Sequence, residues 1–140
     1  NDPVNQGRGL LLLEKGGLIK LKEGVGYKGT LDDIVENPKN VTFSEVEGPQ
    51  LARVTPDVDV ALGYPHFIVA SGAFDPSSGL IYSGVDDKQY AIVFTTRKER
   101  SEDPAVRKLV ELYQNSPAVR AAIHKAFGND EKLYTLPWLY

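Results

Sequence analysis

Arg8 is the side chain best placed to do chemistry in this 140-residue chain. It follows the helix-start pair Asp2-Pro3 and stands between Gly7 and Gly9. A guanidinium offers two parallel donors and a full positive charge, a match for a carboxylate. A nearby helix start adds partial positive charge from its unpaired N–H groups. The flanking glycines leave room for close approach. The residues alone leave two readings open: an ordinary surface ion pair, or capture of a small anion or zwitterion. Asn5 also supports two readings: it lines such a site, or its side chain bonds backbone at the helix start. Tyr64 and His66 stand in the segment Gly63-Tyr64-Pro65-His66-Phe67. Either could hydrogen-bond a ligand, and either could simply pack or face solvent at a turn.

Other chemistries find little support. The chain has no cysteine, which excludes disulfides, thiolate metal sites and cysteine nucleophiles. His66 has no neighbouring His or Cys, a poor basis for a metal site. Asp32-Asp33 and Asp86-Asp87 are adjacent pairs, not separated acid and base partners. Ser71 and Ser77-Ser78 have no neighbouring base. The glycines at 24, 26 and 29 form a spaced triplet, but without the strand–loop–helix context of a phosphate loop. The expectation is therefore no cofactor, no metal and no enzyme activity. A net charge of −3 argues against a nucleic-acid partner. No apolar run approaches the 18 residues of a membrane span.

The elements that must carry these residues follow from caps and periodicity. Asp2 caps and Pro3 opens a helix expected over 3–15, stopped at Gly16-Gly17. Leu18 to Lys22 is a short alternating segment. Thr30 is placed to cap a helix over 31–36, which Asn37-Pro38 ends. Val41–Val46 and Val58–Leu62 read as strands, and Tyr90–Thr96 as a buried one. Short helical turns are expected at 49–54 and 65–71. Val106, Leu109, Val110 and Tyr113 share a helical face, as do Val119, Ala122, Ile123 and Ala126, with Gly128 as the stop. His124 falls on the polar side of the last helix and is expected to be exposed. The alternation of helices and strands implies an α/β layered fold with largely parallel sheet. No strand precedes the first helix and the chain holds no methionine. The expectation is that an N-terminal part is lost or lies on another chain.

A longer pattern then becomes specific. NDPVNQGRGLLLLEKGGLIKLK at 1–22, DIVENPKN at 33–40, EVEGPQLAR at 45–53 and YAIVFTTR at 90–97 resemble the NlpA/MetQ family of lipoproteins. The resemblance covers most of the chain outside 60–88 and the tail. It implies a periplasmic-binding-protein type II-like architecture of two α/β lobes around a cleft, one lobe nearly complete here and the other partial. Residues 1–87 would be the second lobe without its first strand. Residues 88–140 would be the return strand and C-terminal helices of the first, with a hinge near Asp86 to Gln89.

The implied function is periplasmic binding of a small amino-acid-like or peptide-like solute for delivery to an ABC importer permease. In the family the arginine at the position of Arg8 holds the ligand carboxylate. Two departures bear on the cargo. The family's methionine binders carry an asparagine in a segment that is GYPHF here, at 63–67, and another where this chain has Ile92. Both serve the ligand's polar backbone groups, so the resemblance leaves methionine itself open. The implied location is the periplasm or a membrane-anchored lipoprotein, and a second chain supplying the missing half-lobe is a further expected partner. The alternative is a diverged lipoprotein with a surface interaction role and no solute binding.

Overall fold

A computed structural model describes residues 2–84 and 86–139. The chain divides into two compact units, residues 1–83 and 84–140.

The first unit is built on helix α1, Pro3–Lys15. The Asp2 carboxylate accepts hydrogen bonds from the N–H groups of Val4 at 3.0 Å and Asn5 at 3.3 Å. These are two of the donors that a helix start leaves without partners. Leu10 and Leu13 emerge on one face of α1 and join Ile19 and Leu21 in the main core. Phe43 and Leu62 pack against that core from later in the chain.

The only sheet among the described residues pairs β1, Lys20–Leu21, with β2, Ile34–Glu36, in antiparallel fashion. Two sequence expectations change here. The parallel sheet is replaced by this short antiparallel pair. The helix over 31–36 reduces to one 3-10 turn, Leu31–Asp33, before the chain straightens into β2. Asp33 does hold Thr30, accepting from its N–H and its hydroxyl at 2.9 Å each, so the start signal is real. Ile34 and Val35 are β-branched or stiff at χ1 and favour extended backbone. Pairing of Ile34 with Leu21 then completes the turn as a strand.

A smaller cluster joins Leu51 and Ala52 of helix α2, Leu51–Val54, to Ile68 of helix α3, Pro65–Ser71. Tyr64 occupies the N-cap position of α3 and Pro65 its first turn. Gly72, at φ +62°, ends it in the left-handed conformation that glycine adopts without steric cost. Val41–Val46 and Val58–Leu62 carry no ladder pairing.

The second unit holds helices α4, Pro104–Asn115, and α5, Pro117–Ala126, each opened by a capping side chain and proline. Asp103 accepts from Ala105 N–H at 2.8 Å, and Ser116 accepts from Val119 N–H at 3.3 Å. Gly128 follows α5 at φ +68°. The segment Tyr90–Thr96 is neither a strand nor buried: Ile92 is 90% and Val93 71% exposed. An apolar run becomes a buried strand only where neighbours cover both faces, and no strand pairs with it among the described residues. The tail packs on the helices through rings. Trp138 Nε1 donates to the Gln114 carbonyl at 3.1 Å, and Tyr113 bridges Phe94 and Trp138 edge-on.

Candidate anion-binding site

Arg8 lies in the second turn of α1 and is half-buried. Its Nε donates to Ser83 Oγ at 2.9 Å, and its Nη2 reaches the same oxygen. The segment carrying Ser83 runs beside α1. Ile81 packs so closely on Gly16 that a Cβ there would stand 3.1 Å from the Ile81 methyl. The Tyr82 hydroxyl donates to the Pro76 carbonyl at 2.5 Å, tying down the residue before Ser83. A long cationic side chain is therefore held by a short polar one whose two preceding residues are anchored.

The glycines beside Arg8 have an assignment within the protein. Gly7 is buried, and a Cβ on it would collide with the Tyr27 carbonyl. Gly9 is buried against Leu62, whose Cβ lies 3.4 Å from where its own would be. Both permit close approach, but the group that approaches is the chain's own turn or extended segment.

Asn5 is exposed, and its Nδ2 donates to Asp2 Oδ2 at 2.7 Å. The side chain therefore bonds the capping carboxylate at the helix start and not backbone. The Asn5 side chain first, and then its backbone N–H, favour the charged form of Asp2 and hold that carboxyl below its ordinary value. Gln6, next along, donates to Glu45 Oε1 at 2.5 Å and pins the 41–46 segment to α1.

Tyr64 and His66 fall together at the start of α3. Their ring centroids are 6.2 Å apart, and Phe67 stands 6.5 Å from Tyr64 and 5.9 Å from His66. Tyr64 is half-buried and His66 exposed. Leu62, two residues earlier, lies on Gly9, so the chain leads directly from the Arg8 helix to this aromatic group. His124 differs from expectation. It is half-buried, with Nδ1 3.0 Å from the Tyr134 hydroxyl, because the tail folds back over α5. No cluster of three or more metal-ligating His, Cys, Asp or Glu occurs among the described residues.

Ser83 is the contact that sequence reasoning did not supply. It is separated from Arg8 by 75 positions, and no periodicity or motif connects the two.

The NlpA lipoprotein family model matches residues 1–134. The chain belongs to the NlpA lipoprotein family. It is 43% identical over 131 residues to the D-methionine-binding lipoprotein MetQ of Escherichia coli K12, covering 91% of this chain and 47% of that protein. Among solved structures, a nutrient binding protein from Burkholderia cenocepacia bound to methionine matches with 40% identity and a TM-score of 0.73, covering 91% of this chain and 54% of the other. A YaeC-family lipoprotein from Enterococcus faecalis V583 matches at 35% identity and TM-score 0.77, with 91% and 53% covered. The chain thus spans about half the length of the relatives it matches. The fold class is the α/β architecture of periplasmic substrate-binding proteins, represented in part. The relatives named for a role are binding proteins. Among the described residues, no helix is long and apolar enough to cross a membrane.

Proposed function

We propose that this NlpA-family chain supplies the carboxylate-binding part of a periplasmic or membrane-anchored solute-binding lipoprotein, which hands a small amino-acid-like or peptide-like solute to an ABC importer permease. The observation that carries this reading is Arg8. Its charge is half-buried on a glycine-flanked helix and held at a fixed edge by Ser83. A guanidinium immobilised in this way binds a carboxylate with less ordering cost than a free surface arginine. Tyr64 and His66 would contribute hydrogen bonds or ring contact to the rest of the solute. Asn5 would act by holding Asp2 at the helix start. The domain reading is a second lobe over 1–87 and first-lobe elements over 88–140. A second polypeptide completing the first lobe remains part of the proposal.

The ligand class is supported by relatives whose names specify D-methionine and methionine. The GYPHF segment and the exposed Ile92 leave the exact amino acid open. Calorimetric titration with amino acids and short peptides tests the reading. Arg8→Ala should weaken the carboxylate-bearing ligand at least tenfold, and unchanged affinity would remove the anion site. The same two departures favour a second reading, a diverged lipoprotein with a surface role. Absence of heat with every amino acid and short peptide would select it.

A further inference from the structure

We propose that Ser83 is a second donor of the anion site, acting jointly with Arg8 on the ligand carboxylate; this rests on the carboxylate reading of Arg8. A serine hydroxyl has one hydrogen to donate and two lone pairs that accept. Here Oγ accepts from Arg8 Nε at 2.9 Å and from Nη2. With guanidinium N–H groups on the lone pairs, the hydroxyl hydrogen is left to donate to another group. No protein acceptor meets it among the described residues.

A cation bonded to the oxygen polarises the O–H and makes it a better donor to an anion. The two groups together place positive charge and a hydroxyl donor next to each other. That arrangement fits a planar anion with two oxygens, such as a free carboxylate, and discriminates against its uncharged amide. The anchoring of Tyr82 on Pro76 and of Ile81 on Gly16 fixes the backbone on the approach to Ser83. The donor is therefore oriented before ligand arrives, which lowers the ordering cost of binding.

The test is calorimetric titration of the polypeptide at its natural length with L-methionine and with L-methioninamide, on the wild type, Arg8→Ala, Ser83→Ala and Ser83→Thr. Ser83→Ala should weaken L-methionine by about tenfold, the scale of one hydrogen bond to a charged group. Ser83→Thr, which keeps the hydroxyl, should restore affinity to within about threefold of wild type on the same scale. The amide should bind alike to wild type and Ser83→Ala. Thermal melts of the variants confirm that each is folded. If Arg8→Ala weakens L-methionine and Ser83→Ala does not, the Ser83 inference fails while the Arg8 reading stands. Equal weakening of acid and amide by Ser83→Ala assigns Ser83 a purely structural role and also overturns the inference. L-methionine binding that is absent from wild type, or indifferent to Arg8→Ala, overturns the carboxylate reading and this inference with it.

Discussion

The two units organise similar helices in opposite ways. In residues 1–83, α1 buries Leu10 and Leu13 against side chains drawn from Ile19 to Leu62. In residues 84–140, α4 and α5 have cleaner apolar periodicity, yet neither has a buried residue, and Leu109 and Leu112 are 59% and 57% exposed. Leu133 is the one buried hydrophobic among that unit's described residues. The difference shows that amphipathic patterning specifies a helix and its apolar face, whereas burial depends on a second surface. The first unit has that surface in its own loops and strands. The second unit relies on an aromatic chain, Phe94–Tyr113–Trp138, and on the Tyr134 contacts with His124 and Phe127.

The sharpest test of this contrast is a matched pair of truncations. Leu10→Ala should cost ~2–5 kcal/mol, the range for a leucine deleted from a packed core. Leu109→Ala should stay within ~0.5 kcal/mol, as expected of an exposed position. Urea melts followed by circular dichroism decide it, and similar losses at the two sites would erase the distinction. A second test uses Trp138, the chain's single tryptophan, which reports on the second unit alone. Its fluorescence should change at lower urea than the helical signal of the first unit, and coincident transitions would show that the units unfold together.

Capping offers a smaller effect. Ser116→Ala removes the acceptor for Val119 N–H and should destabilise α5 by ~1 kcal/mol, measured by the same fluorescence transition. The smallest effect concerns pH. Asp2 and Asp33 in the first unit and Asp103 in the second all have carboxyls held below the ordinary value of 3.8. The principal causes are the Asn5 side chain, the Thr30 backbone N–H and the Arg100 guanidinium. Because folding lowers these values, their stabilisation is complete above the unfolded value and is lost as pH falls through the folded one. NMR titration of the three carboxyls should place each midpoint below 3.8 in the folded protein, and a midpoint at or above that value would contradict the geometry.

Much of the helical architecture was legible because helix starts are written locally. Asp2-Pro3, Asp103-Pro104 and Ser116-Pro117 each combine an acceptor with a residue preset for the first turn, and all three cap their helices. Extended segments were less legible, since a strand is defined by a distant partner. Val41–Val46, Val58–Leu62 and Tyr90–Thr96 alternate or run apolar as strands do, yet none pairs among the described residues. At 31–36 the start signal was correct and the continuation was not, because Ile34 found Leu21. The site divides along the same line. Arg8 was visible from its type and neighbours. Its hold by Ser83 was not, because that contact closes over 75 positions.

One feature of α1 reaches beyond this chain. Gly7 makes way for the Tyr27 carbonyl and Gly9 for Leu62. In the triplet Gly7-Arg8-Gly9 the glycines are scaffold, and the proposed function makes the arginine the receptor. A relative that kept both glycines and exchanged the arginine would retain the architecture while changing the charge of its cargo. The glycines are a signature of the frame, and on the proposed function the residue between them is the address label.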